Sequence, residues 1–395
     1  MNKEILNKDI QDFIHANLKS NITKLVLKGS PFVEVSIQEI AEQIISKNKC
    51  EHKLPTWFST ENIYYPNKLN IEQTSSEITA KYKSNLISGN SLIDITGGFG
   101  VDAYYFSQKV NQVTHCEINS NLSEIVSYNL KKFGTKNIKT IVGDGIEYLK
   151  NSTQKFDWIY TDPSRRNDVK GKVFLLGDCL PNIPENLELL FEKSYRILIK
   201  ASPILDITSA IYELNFVKEI HIIAIENEVK EVLFILEKNY TQQIDIKTIN
   251  FNKKENQHFN FSLNNEVLAT YSEPKTYLFE PNSAILKAGA FNQVSSQLKI
   301  DKLHQNSHLY TSEVLIDFPG RRFEITHCIS YDKKQLKKLI PSNKANITTR
   351  NFPETVEQIR KKTGLKDGGN KYLFFTTDLN NNHIILICNK VQIVF

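Results

Sequence analysis

Four acidic residues stand at the ends of four successive apolar runs. Asp94 follows Leu92-Ile93, Glu117 closes Gln112–Glu117, Asp144 follows Val142-Gly143, and Asp162 follows Tyr160-Thr161. Asp94 leads directly into Ile95-Thr96-Gly97-Gly98-Phe99-Gly100-Val101-Asp102. Gly97, Gly98 and Gly100 let the backbone approach a ligand and take up positive φ. A turn at the carboxyl end of the first strand of a parallel sheet is a ligand position. By itself such a turn serves NAD, FAD or a nucleotide equally, or is only a tight turn. Its surroundings narrow the choice. The spacing is not Gly-x-Gly-x-x-Gly, and no Gly-Lys-Ser/Thr phosphate loop follows. A carboxylate just before the turn repels a pyrophosphate and suits a cationic ammonium group. Glu117 stands where an acid accepts two ribose hydroxyls, and Asp144 where one takes an adenine amino group. The ligand implied by Asp94, Thr96, Gly97, Gly98, Gly100, Glu117, Asp144 and Asp162 is a cationic adenosine derivative without phosphates. S-adenosylmethionine fits.

The elements that must position these residues are legible in the pattern. Ser91–Ile95, Gln112–Glu117, Ile138–Val142, Phe156–Tyr160, Tyr195–Lys200 and Glu219–Ile225 are short apolar runs separated by helical stretches. Strands alternating with helices predict a parallel sheet covered on both faces. A seventh run, Val232–Leu236, is joined by Glu226–Lys230 alone, too short for a crossover helix, so it should be antiparallel. Upstream, Asp9–Asn17, Thr23–Leu27 and Ser36–Lys47 have helical spacing, with Ser36 and Glu39 as a capping box. Lys53–Trp57 is predicted to be a linker that packs Trp57 and Phe58 onto the next domain. Asn239–Leu263 is polar and Asn-rich, and the remainder mixes strands and short helices. The predicted division is a helical segment 1–70, an α/β domain 71–240, an α+β module 241–320 and a basic module 321–395.

Composition sets the class. The chain has 395 residues, 40% hydrophobic and 24% charged, with a net charge of +5, typical of a globular protein of two or three domains. Apolar runs stay well short of the roughly 18 residues of a membrane span, and the N-terminus does not read as a signal peptide. No membrane partner is therefore expected, and the cytoplasm is the default compartment. Five scattered cysteines without a CxxC pair, and scattered histidines, predict neither a disulfide framework nor a metal site. Residues 321–372 hold thirteen Lys and Arg against five Asp and Glu, which suits a polyanion or is simply a lysine-rich surface. Arg321-Arg322-Phe323 and Arg350-Asn351-Phe352 set arginines beside aromatics, as an RNA backbone with unstacked bases requires. A dimerisation or lid module would also account for an appended α+β domain.

On these motifs the segment from about Gln73 to Lys238 resembles class I S-adenosylmethionine-dependent methyltransferases, which have a seven-stranded, Rossmann-like sheet. The resemblance implies that Asp94, Gly97, Gly98 and Gly100 line the methionine and ribose end of the cofactor, that Glu117 holds the ribose and that Asp144 holds the adenine. Glu72–Tyr82 resembles the stretch before the first loop in cap-hypermethylating RNA guanine-N2 methyltransferases. There Thr74 and Ser75 would touch the cofactor, while Thr74, Ser75 and Ser76 serve equally as a cap for Glu77–Leu86. Nearly the whole chain is similar to a bacterial group of methyltransferases. That group has a helical N-terminal segment, a Gly-Gly-x-Gly-Val-Asp loop, an Asp-Pro-x-Arg-Arg motif, and ferredoxin-like and THUMP-like C-terminal modules. The resemblance does not supply the group's substrate.

Asp162, Pro163, Ser164 and Arg165 occupy the place of the (Asp/Asn)-Pro-Pro-(Tyr/Phe) motif that orients an amino group for methylation. Ser164 replaces the second proline and Arg165 the aromatic. Asp-Pro-x-Arg also resembles RNA uracil-C5 methyltransferases, but Ala201-Ser202-Pro203 lacks their cysteine and Cys179 is a poor substitute. Arg165 and Arg166 could grip phosphate or a base face, or pair with Asp168 or Asp178. Lys200 faces the same cleft or caps its strand, and Asp102 complements a helix N-terminus. The reading is an RNA methyltransferase acting on tRNA or rRNA, with nitrogen as the favoured target and Arg165, Arg166, Arg321, Arg322 and Arg350 on the substrate. The alternatives are a small-molecule or protein methyltransferase, or an RNA-binding protein with a vestigial cofactor pocket.

Overall fold

A computed structural model describes residues 1–165, 175–263 and 267–391, with Arg165 given by its backbone alone. By its packing the chain divides into two compact units, residues 1–218 with 233–241, and residues 219–232 with 242–395.

The first unit begins with helices Lys8–Ala16, Ile22–Lys28 and Ile37–Lys53. The Ser36–Glu39 capping box is formed in both directions. The predicted linker after Lys53 is instead a short helix, Pro55–Ser59, with proline in its first turn. Proline there loses no hydrogen bond and presets φ. Trp57 on this helix is buried against Phe99, Tyr104, Tyr105 and Phe133 at ring distances of 4.8–6.4 Å. Ile10, Ile14, Ile40 and Ile44 share one core with Phe99, Tyr105, Ile125 and Leu130. The N-terminal helices therefore extend the α/β layer, and each fully buried aliphatic or phenyl side chain there contributes about 1.5–3 kcal/mol.

The principal sheet is built from β1 (Ser91–Asp94), β2 (Gln112–Glu117), β3 (Ile138–Val142), β4 (Phe156–Thr161), β5 (Ser194–Ala201), β6 (Val217–Ile225), β7 (Glu228–Glu237), β8 (Asp245–Phe251) and β9 (Gln257–Ser262). Its hydrogen-bonded order is β3-β2-β1-β4-β5-β7-β6-β8-β9. β1 lies between β2 and β4, parallel to both, and all four of its residues are buried. β6 and β7 are joined by Glu226-Asn227, both with positive φ, the two-residue turn that suits an antiparallel hairpin. The seven expected strands are present, and β8 and β9 add two more. These two come from the Asn-rich stretch read as irregular. β8 runs parallel to β6 and β9 antiparallel to β8. Ile246, Ile249 and Phe259 bury one face while Asn, Lys and His occupy other positions, so the strands look polar in composition.

The second unit contains a further sheet. Its strands are β10 (Tyr277–Pro281), β11 (Asp301–Lys302), β12 (Tyr310–Ser312), β13 (Gly320–Ser330), β14 (Asn346–Arg350), β15 (Lys371–Thr377) and β16 (His383–Lys390). The order is β11-β12-β10-β13-β16-β15-β14. β14 and β15 pair in parallel and the other pairs are antiparallel. Helices Ser283–Ala288, Phe291–Leu298, Lys333–Leu339 and Val356–Thr363 accompany it.

Candidate active site

The turn after β1 is shaped by contacts that tolerate little side-chain volume. A Cβ on Gly97 would lie 2.5 Å from the Cys116 carbonyl oxygen and 2.6–2.7 Å from two atoms of the His115 ring. His115 is fully buried beneath the turn, and burial presses its pKa down to about 4. Gly100 opens helix Val101–Phe106 at φ 74°, a left-handed conformation that glycine adopts without steric cost.

Asp94 ends β1 and is 1% exposed. Its Oδ1 accepts hydrogen bonds from the backbone N–H of Thr96 at 3.0 Å and its hydroxyl at 3.3 Å. The same hydroxyl oxygen accepts from the Asp162 N–H at 2.7 Å, tying the end of β1 to the end of β4. Glu117 accepts from the N–H groups of Gly98 at 2.8 Å and Asn119 at 2.7 Å. The Glu117 carboxylate thus braces the glycine turn from the next strand. Burial raises its pKa against those two hydrogen bonds. Asp144 is exposed and caps helix Gly145–Asn151, accepting from Ile146 N–H at 2.7 Å and Glu147 N–H at 3.1 Å through Oδ1.

Behind this row lies a charge network that sequence reading missed. Asp102 is buried and accepts from the hydroxyls of Ser75 and Tyr160, each at 2.8 Å. It pairs with the ammonium of Lys83 at 3.2 Å. Lys83 is fully buried and also donates to Ser75 at 3.0 Å. Burial opposes the charge of Asp102, but Lys83, Lys200 and the two hydroxyls outweigh it and hold the carboxyl below its usual range. Asp102 is therefore an ion-pair partner as well as an acid in a first helical turn. Lys200, at the end of β5, donates to Asp162. Asp94 is left in a different state. Burial, and then the charges of Asp102 and Asp162, push its pKa well above the usual carboxylate range. Three carboxylates and two ammonium groups converge here, leaving one negative charge in excess when all are ionised.

The other predicted residues fall as follows. Thr74 follows helix Lys68–Gln73 and donates its N–H to the Asn70 carbonyl. Ser76 caps helix Glu77–Ser84, while the Ser75 hydroxyl is engaged by Asp102 and Lys83. Pro163 is buried and Ser164 exposed. Ser164–Arg165 forms a two-residue antiparallel pair with Cys179–Leu180, and Cys179 is buried. Arg166 and Asp168 lie outside the described residues. In the second unit, Arg321 and Arg350 meet on one buried carboxylate, Glu280, with Arg321 Nε at 2.5 Å and Arg350 Nη2 at 2.7 Å. Arg322 pairs with Asp317 at 2.8 Å. These arginines form intrachain ion pairs, with about a third of the Arg321 and Arg350 side chains exposed.

Strand order, the hairpin closing the seven-stranded part and the glycine turn after β1 define a class I methyltransferase fold. The chain aligns over 99% of its length with 99% of a putative methyltransferase from Porphyromonas gingivalis W83, at 31% identity and a TM-score of 0.88. It belongs to the family of that protein. Family models match residues 277–319 as a ferredoxin-like domain and residues 320–390 as THUMP domain-like. An rRNA methylase from Streptococcus thermophilus matches 41% of this chain and 94% of its own, at 14% identity and a TM-score of 0.31. TrmK from M. capricolum, in complex with S-adenosylhomocysteine, matches 45% of this chain and 70% of its own, at 19% and 0.31. Partial likenesses of that size carry no argument about function. No curated protein matches the chain. Among the described residues no helix is long and apolar enough to cross a membrane.

Proposed function

We propose that this protein is an S-adenosylmethionine-dependent methyltransferase that methylates a nitrogen of a tRNA or rRNA base by direct in-line transfer. The observation that carries the cofactor reading is the excess carboxylate at Asp94. A buried acid whose pKa is raised by burial and by two neighbouring acids is stabilised in its ionised form by a ligand bearing an ammonium group. The site accommodates such a ligand because Gly97, Gly98 and Gly100 leave the turn without side chains. Asp94, Thr96 and the three glycines would hold the amino-acid and ribose end, with Thr74 and Ser75 alongside. Glu117 would accept the ribose hydroxyls through lone pairs not used by Gly98 and Asn119, since a carboxylate has about four acceptor positions. Asp144 has Oδ2 left for an adenine amino group. When bound, S-adenosylmethionine supplies an electrophilic methyl group.

The chain's own contribution is positioning, which can supply much of the acceleration of a displacement. Asp162 is tied to Asp94 through Thr96 and partly exposed. It would exchange its bond with Lys200 for one from a target amino group and fix that nitrogen's lone pair. Pro163, Ser164 and Arg165 would frame the target. Arg165, Arg166, Arg321, Arg322 and Arg350 would meet the RNA. The THUMP-like match and the basic composition of residues 321–372 support RNA as the substrate. A cytoplasmic location accompanies this reading. Mass spectrometry of total-RNA nucleosides from cells with and without the gene tests it. Loss of one methylated nucleoside is expected, and an unchanged profile contradicts an RNA substrate.

A further inference from the structure

The second unit gathers positive charge around one acid. Glu280 on β10 is buried, and Arg321 of β13 and Arg350 of β14 both bind it. Arg321 also reaches the Thr348 hydroxyl at 3.4 Å and lies over the rings of Phe323 and Phe374 at 5.5 and 5.9 Å. Both guanidiniums are thus held in place before any ligand arrives. Nearby, Lys302 is 2% exposed, bound to the Gln305 carbonyl at 2.9 Å and poised 5.9 Å over Phe291. The His308 ring stacks on the other partner of that contact, Phe291, at 3.5 Å and 11°.

His308 has two further peculiarities. Its φ is 52°, a region that side chains other than glycine enter rarely. Its buried Nδ1 has no hydrogen-bond partner among the described residues. Burial, then the charges of Lys302 and Arg350, press its pKa down to about 4. The ring is therefore neutral at physiological pH, with one nitrogen available to donate. Three permanent cations against one carboxylate leave a surplus that calls for a counter-ion, because buried charge is costly unless paired. A backbone outlier beside an unsatisfied buried donor is also the kind of feature from which a ligand site is reasonably inferred.

We propose that Lys302, His308 and Arg350, with Arg321 behind them, form a phosphate site that takes a backbone phosphate of the RNA substrate. Guanidinium forks match phosphate geometry and an ammonium adds a point charge. The half-exposed His308 ring would supply a neutral donor between them. This site rests on the RNA reading above and adds residues from the ferredoxin-like segment, which the basic-motif reading had not singled out.

Binding of fluorescein-labelled bulk tRNA to the full-length chain, followed by anisotropy across a salt series, tests it. Arg350→Ala leaves Glu280 paired with Arg321, and His308→Asn keeps a residue that tolerates positive φ. Arg350→Ala should raise Kd about tenfold, as expected for one charge-assisted contact. It should also flatten the log–log salt slope by about 1. His308→Asn should weaken binding a few-fold with little change of slope, since it removes no charge. Both variants should keep wild-type affinity for S-adenosylhomocysteine, which shows that they are folded. Unchanged tRNA affinity and slope in the variants overturns the phosphate site and leaves the RNA reading standing. No tRNA binding by the wild-type chain overturns both.

Discussion

Replacing Asp94 with asparagine removes one charge and little else. The side-chain oxygen that accepts from Thr96 is retained, and the volume is nearly the same. What disappears is the buried negative charge that would face the ligand's ammonium. A hydrogen bond to a charged group contributes about 1.5–3 kcal/mol net, so Asp94→Asn should raise the Kd for S-adenosylhomocysteine roughly 10- to 150-fold. The pH dependence follows from the direction of the shift. The folded-state pKa of Asp94 lies well above its ordinary value. Below that pKa the free protein carries a proton on Asp94, and a cationic ligand must expel it. Each pH unit below it therefore costs about tenfold in affinity, and affinity levels off above it. Stability has the opposite sign. The folded state binds this proton more tightly than the unfolded state, so Asp94 subtracts from stability as pH rises through its folded pKa. The variant lacks that decrement and should be at least as stable as the wild type at neutral pH. Calorimetric titration with S-adenosylhomocysteine between mildly acidic and neutral pH, on both proteins, measures the effect. Wild-type affinity in Asp94→Asn, or the same pH slope in both proteins, would refute the reasoning.

Three further perturbations probe the same site. Asp162→Asn should keep S-adenosylhomocysteine affinity within about twofold while single-turnover methyl transfer falls by ~10²-fold or more, the scale of a lost positioning contact. Equal losses of binding and turnover would place Asp162 on the cofactor rather than the target. Gly97→Ala forces a methyl group against the Cys116 carbonyl and the His115 ring. Overpacking of this kind costs about 1–3 kcal/mol, and the displaced turn should lose the cofactor, read by thermal unfolding and by titration. Lys83→Met strips the buried Asp102 of its ion-pair partner. Removing one member of a buried pair destabilises by about 3–5 kcal/mol. Denaturant melts should show that loss, and most of it should be restored in the Lys83→Met, Asp102→Asn double variant.

Much of the fold was legible because local chemistry and global position agree. Leu92-Ile93 running into a glycine turn can do little but end a buried strand, and the five-residue link after Ile225 excludes a crossover. The Ser36–Glu39 box formed as its spacing demands. Other features were invisible for identifiable reasons. β8 and β9 sit beyond β6, and alternating Asn, Lys and His disguise a single buried face. Lys83 lies on a short helix where a lysine ordinarily faces water, yet Ser75 and Asp102 enclose it. Those partners are 8 and 27 residues away in sequence from Lys83 and Ser75 respectively, so no local pattern reveals the network. Tyr160 read as a strand residue, and its hydroxyl bond to Asp102 spans 58 positions. Arg321 and Arg350 were conspicuous as basic residues. Their shared anchor, Glu280, belongs to a strand 41 positions from Arg321 and gives no signal of its own.

Transfer of radiolabelled methyl from S-adenosylmethionine, by the purified chain, into total RNA from cells lacking the gene tests the central claim most directly. The account predicts label in the RNA fraction with the wild-type chain, and none with Asp162→Asn under conditions where both proteins bind S-adenosylhomocysteine. An RNA fraction left unlabelled by the wild-type chain, at cofactor concentrations that saturate it, would contradict the account.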